Sequence, residues 1–131
     1  MRVITEHQIN ECNSAIEIEA DEPNPKNGNA SHDYLMHWKN ERLPPAPGSD
    51  VGRESILLRF QNGPIAEVGT NGITHEALLA ILADRLRGFQ SGAYACQENA
   101  DALSAIQLAQ ECLHSRTRKR VERGVEGTNT I

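Results

Sequence analysis

The sequence predicts an α+β chain, with its strands in the N-terminal half and its helices in the C-terminal part. Three observations carry that prediction. Apolar and polar residues alternate with period two in AIEIEA (15–20), in ASHDYLMHWKNER (30–42) and around ILLRF (56–60). Apolar residues recur at three- and four-residue spacing in THEALLAILADRLRGFQ (74–90) and again from about Gln97 to Arg123. Between those two runs stands the short link SGAY, which folds one helix back on the other.

Taken in order, residues 2–4 and 15–20 read as strands, with Ile16 and Ile18 inward and Glu17 and Glu19 outward. DEPNPKNGN (21–29) is turn chemistry, and Asn27-Gly28 tolerates positive φ. In the next strand His32, Tyr34, Met36 and Trp38 share the apolar face, while Asp33, Leu35, His37 and Lys39 share the other. LPPAPGSDVG (43–52) is a proline-stiffened loop. Residues 53–61 form a strand with Ile56, Leu58 and Phe60 on one face and Leu57 and Arg59 on the other. NGPI turns the chain, and AEVGTNG (66–72) leads as a short strand or loop into the first helix.

That helix is capped by Thr74, with Glu76 at its positive end and Ala77, Leu78, Ile81, Leu82, Leu86 and Phe89 as its stripe. The second helix starts near Cys96 or Gln97. Its stripe is Ala102, Leu103, Ile106, Ala109 and Leu113, backed by Ala105 and Cys112, the latter read as packing. At about 27 residues it spans ~40 Å against ~25 Å for its partner, so its basic end overhangs. Gly124 suits the position after the helix, and GVEGTNTI is a tail. The chain reads as one domain: a β-rich part (1–71), a helical hairpin (72–124) and a tail (125–131).

Composition narrows the function. Of 131 residues only 38% are apolar and 4% aromatic, so one copy builds a thin core that self-association would complete. A net charge of −5 argues against general affinity for DNA, though not against a local anion site. No run approaches the ~20 apolar residues of a membrane span, and MRVITEHQINE lacks a signal-peptide core. Three cysteines without a C-x-x-C spacing fit a reduced, cytoplasmic protein.

Arg116, Arg120 and Arg123 share one helix face, with Arg118 and Lys119 beside them and Glu122 as the single acid of that segment. Two readings fit. Cations in a last helical turn answer the helix dipole, with Arg118 paired to Glu122; alternatively, the paired N–H donors of arginine hold a phosphate or pyrophosphate. Phe89 is likewise either a plug that closes the hairpin or a platform for a nucleobase. Asn99 caps the second helix or reads a base or ribose edge with its amide. His32 and His37 fall on opposite strand faces, which speaks against one metal ion between them. NGPIAEVGTNG matches neither glycine-rich phosphate fingerprint, and no catalytic arrangement stands out, so the reading is not an enzyme.

Residues 60–131 resemble a phage family. The set FQNGPI, EVG-x-NG, EALLAI, DRL-x-x-FQ, ENA-x-AL, RT-x-x-R and RGVEGT is similar to that of the Thoeris anti-defence sponges, which share a hairpin domain with anti-CBASS sponges. DEPNPKNGNASHDY carries a weaker resemblance in the N-terminal half. The resemblance implies an antiparallel sheet packed on the hairpin and a homo-oligomer up to a hexamer. It also implies non-catalytic binding of cyclic ADP-ribose isomers, with cyclic trinucleotides as a second ligand class. No cofactor is implied. By motif, Phe89 would stack the adenine, Asn99 would hydrogen-bond the ligand, and Arg116 and Arg120 would hold base and pyrophosphate across a protomer boundary. Gln97 stands where the family has an arginine. For the trinucleotide, Arg59 and the turn at 29–32 are the candidates.

Overall fold

The structure is a computed structural model and describes residues 1–39, 47–48, 55–128 and 130–131. The proline-stiffened loop expected at 43–52 lies outside these residues except for Pro47 and Gly48. The chain forms two compact units, Met1–Asn62 and Gly63–Ile131.

The first unit is a four-stranded antiparallel sheet in chain order, made of β1 (Arg2–Ile4), β2 (Ile16–Ala20), β3 (Asp33–Trp38) and β4 (Ser55–Arg59). Sequential antiparallel pairing needs no crossover, only connections between neighbours. One of these is capped by Asn24, whose side chain accepts from the Lys26 N–H at 3.0 Å before Gly28 turns left-handed at φ 82°. Between β1 and β2 stands α1 (Glu11–Ser14), a single turn not read in the sequence, begun by the Asn10 side chain accepting from the Asn13 N–H at 2.9 Å.

Register follows the alternation. Ile4, Ile18, Met36 and Ile56 face one another across all four strands, flanked by Ile16–Trp38 and Ala20–Tyr34–Leu58 pairs. Phe60 meets Tyr34 edge-on at 5.6 Å. The other face carries Glu17, Glu19, Leu35, His37 and Leu57. The two glutamates, expected outward and solvated, are half-buried, because His37 and Leu35 stand opposite them. Beneath the β2–β3 end a polar knot ties the turn down. Arg2 donates to Ser31 Oγ at 2.6 Å, Ser31 donates to the Asp21 carbonyl at 2.7 Å, and the His32 N–H donates to Asp21 Oδ1 at 2.9 Å.

The second unit is the hairpin. Residues 66–72, expected as strand or loop, include part of a short helix, α2 (Ile65–Val68). Pro64 holds φ −71° just ahead of the turn and its carbonyl accepts from Glu67 and Val68, so proline starts a helix here. Gly69 ends it at φ 70°. Then come α3 (His75–Gln90) and α4 (Gln97–Glu122), of 16 and 26 residues or roughly 24 and 39 Å. Thr74 caps α3 as expected, its hydroxyl accepting from the Ala77 N–H at 3.1 Å. Cys96 caps α4 with its sulfur, 3.4 Å from the Asn99 N–H.

The covered stripes agree with those expected over most of α4 and part of α3. In α3 Leu78, Leu86 and Phe89 are covered as expected, joined by Leu79 and Ala83, whereas Ala77 faces solvent and Ile81 and Leu82 are 63% and 46% exposed. In α4 Leu103, Ile106, Ala109 and Leu113 are covered as expected, with Gln110 and Thr117 continuing the seam, while Ala102, Ala105 and Cys112 face solvent. Alternating three- and four-residue steps keep one seam toward the partner helix, and Cys112 stands one residue off it. Among the described residues the only fully shielded apolar side chains are Ala20 and Ala83. No described helix is long and apolar enough to cross a membrane.

A candidate nucleotide-binding cleft at the hairpin link

The link between α3 and α4 is closed by Gln90. Its side-chain carbonyl accepts from the Cys96 N–H at 3.1 Å and its amide donates to the Cys96 carbonyl at 3.2 Å. Ser91 donates to the Gly88 carbonyl at 2.7 Å, so the end of α3 is tied off on both sides.

These constraints set out an open cleft of about 460 Å³ lined by Leu86, Phe89, Tyr94 and Asn99. Phe89 is half-buried, and the ring of Tyr94, itself 74% exposed, stands edge-on to it at 6.0 Å and 85°. The Arg85 guanidinium lies over the Phe89 ring, 4.8 Å from its centroid. Asn99 sits in the first turn of α4 and donates from its amide nitrogen to the Tyr94 carbonyl over a long 3.4 Å. Its carbonyl oxygen is an acceptor toward the cleft. The arrangement offers aromatic faces, an amide edge and a cation, the groups that hold a flat heterocycle with an anionic substituent.

Phe89 and Asn99 are thus brought together as the sequence expects. Tyr94, Arg85 and Gln90 were missed as site residues. The i, i+4 spacing of Arg85 and Phe89 on a helix was the available signal for one of them.

Arg116, Arg118, Lys119 and Arg123 are exposed at the far end of α4. Seventeen residues separate Asn99 from Arg116, roughly 25 Å along the axis. One chain therefore keeps its arginine face apart from its aromatic cleft. Arg120, expected to hold base and pyrophosphate, is half-buried and its donors are engaged. Its Nε donates to Glu126 at 3.1 Å, Nη1 to the Thr130 carbonyl at 2.6 Å, and Nη2 to the Val125 and Thr128 carbonyls at 3.0 Å. The helix end explains this. Gly124 takes φ 70°, with bonds from Gly124 to Val121 and from Val125 to Arg120, and this turn folds the tail back over the arginine. Gly127 then accepts from the Ala66 N–H at 2.9 Å.

Arg59 is paired across strands with Asp33 through two contacts of 3.2 and 3.3 Å, both groups partly exposed. On the same sheet face Glu17, Glu19 and His37 bring ligand atoms within 4.8 Å of one another. The sequence comparison of His32 with His37 had no means of seeing this set, which arises from strand register. Two carboxylates and an imidazole suit a divalent cation, and cross-strand pairing alone also places them so.

Residues 54–118 match the Acb2/Tad1 hairpin domain. The chain is also 43% identical over 80 residues to the protein named Thoeris anti-defense 1 of Bacillus phage SBSphiJ7. That alignment covers 61% of this chain and 56% of the relative, so the chain spans about half the length of the curated protein it matches. The matched segment takes in α3, the link, the cleft between Phe89 and Asn99, and α4 as far as residue 118. The chain belongs to the Acb2/Tad1 hairpin-domain family.

Proposed function

We propose that this protein is a non-catalytic sponge. It binds cyclic nucleotide immune signals, cyclic ADP-ribose isomers foremost and cyclic trinucleotides as a second class, and holds them intact in the cytoplasm of an infected bacterium. The observation that carries the reading is the cleft of Phe89, Tyr94 and Asn99 with Arg85 beside it, set in the hairpin that the family shares.

The binding follows from these groups. The adenine stacks on Phe89, an interaction of roughly 1–3 kcal/mol per base. The Asn99 amide exchanges its long bond to the Tyr94 carbonyl for a base or ribose edge. The pyrophosphate needs cations, and the arginine face of the same chain is roughly 25 Å away. In this reading Arg116 and Arg123 come from a neighbouring protomer, and Arg120 joins them once the tail releases its guanidinium. Ile81, Leu82, Leu108 and Val121, all more than 45% exposed on the two helices, supply apolar surface for such an assembly, up to a hexamer. No carboxylate or imidazole lines the cleft, which supports retention over turnover.

The second reading is a protein- or nucleic-acid-interaction module built on the exposed cations of α4. One experiment separates the two. The protein is incubated with a cyclic ADP-ribose isomer, washed and denatured, and the released nucleotide is identified. Intact ligand in stoichiometric amount is the expected result. A linearised product would overturn the sponge in favour of an enzyme, and no retained nucleotide would favour the interaction module.

A further inference from the structure

We infer that Arg85 is a ligand-contacting residue, the cation that the chain's own cleft supplies to the phosphate side of a nucleotide. The inference rests on the reading of the cleft as a nucleotide site. Arg85 is exposed and lies one helical turn before Phe89, with its guanidinium 4.8 Å from the ring centroid. Among the described residues that ring is its partner, and no carboxylate stands within ion-pair distance of it. Its charge is therefore not already committed to a carboxylate.

The surroundings give the cation a purpose. Glu98 and Asp101 open α4, the latter taking a bond from Gln97 at 2.8 Å. Neither lines the cleft, but both place negative charge at the same helix end, so a pyrophosphate held there gains from a cation on the Phe89 side. Arg87 is two residues from Arg85, roughly 200° around the helix, and faces away. Arg85 alone shares the face of Phe89. Its hold on the ring is weak, as exposed cation–π contacts are, whereas a bond from a guanidinium to phosphate is charge-assisted on both partners. Phe89 therefore keeps the guanidinium near the cleft while it is empty. On binding, the base takes the ring and Arg85 turns to the phosphate, with no loop to reorder.

The test is isothermal titration of the full chain with adenosine, ADP and cyclic ADP-ribose over a range of salt. Wild type, Arg85→Gln, Arg85→Lys and Phe89→Ala are compared. Arg85→Gln is expected to weaken ADP and cyclic ADP-ribose about tenfold, to flatten the salt dependence of both, and to leave adenosine within about twofold. Arg85→Lys restores part of the loss, since it keeps the charge without the fork. An unchanged salt dependence in Arg85→Gln, or an equal loss for adenosine and cyclic ADP-ribose, overturns the inference. If Phe89→Ala abolishes binding while Arg85→Gln does nothing, Arg85 is excluded and the nucleotide cleft stands. If wild type binds no probe, the cleft reading and the inference fall together.

Discussion

Replacing Arg120 by alanine tests the part of the hairpin where sequence and structure give the same residue different work. The guanidinium holds four acceptors: the Glu126 carboxylate and the carbonyls of Val125, Thr128 and Thr130. At roughly 1.5–3 kcal/mol for a bond to a charged group, these contribute about 6–12 kcal/mol before ordering costs. Ordering the tail backbone costs about 1–2 kcal/mol per residue, which over the tail is of the same size. The tail is therefore closed by a narrow margin, and Arg120→Ala opens it. The Ala66 amide reports the change, because its acceptor is the Gly127 carbonyl at 2.9 Å. Hydrogen exchange at Ala66 is expected to lose its protection, about tenfold, while amides at the centre of α3 and α4 exchange as before. Equal protection of Ala66 in both proteins would show that the tail is held by something else. The same amide reads the ligand's effect. If Arg120 turns to a pyrophosphate when the site fills, cyclic ADP-ribose will speed exchange at Ala66 in the wild type.

Phe89→Ala is expected to cost a half-buried ring about 1–2 kcal/mol of stability, and about ten- to a hundredfold in cyclic ADP-ribose affinity by titration. A large fall in ligand-free melting temperature without a specific loss of affinity would make the ring a plug instead. Arg116→Ala should weaken cyclic ADP-ribose and reduce its salt dependence. A variant that loses DNA or protein binding with nucleotide affinity intact would support the interaction module. Thr74→Ala removes the cap on Ala77 and is expected to lower stability by about 1 kcal/mol in urea melts, with ligand affinity unchanged.

The strands and helices were legible because each depends on a local period. The β2 and β3 alternation gave register, and Thr74 and Gly124 marked helix ends by chemistry that acts within four residues. Most of the hairpin seam was legible, but the exposure of Ile81 and Leu82 was not. Ile81 and Leu82 are as apolar as Leu79 and Leu86, and periodicity alone does not say which of two adjacent stripes meets the partner. Within the site, Phe89 and Asn99 were found by residue type. Tyr94 was passed over because it belongs to the link, where no period exists, and Gln90 because its partner Cys96 stands across that link. Arg120 was read as free, since nothing local says that the chain after Gly124 turns back upon it. The Glu17, Glu19 and His37 group needed strand pairing between residues 18 or more positions apart.

Gln90 has a consequence for kinetics. A protein that holds its ligand without turning it over has a capacity equal to its copy number, so its usefulness depends on how long each molecule stays occupied. With both polar atoms of the Gln90 amide bound to the Cys96 backbone, the connection between the helices is rigid before any ligand arrives. Little ordering remains to be done on entry, and little is recovered on exit. Loosening this clamp, as in Gln90→Ala, is expected to shorten the residence time of a bound nucleotide while keeping Phe89, Tyr94 and Asn99 themselves.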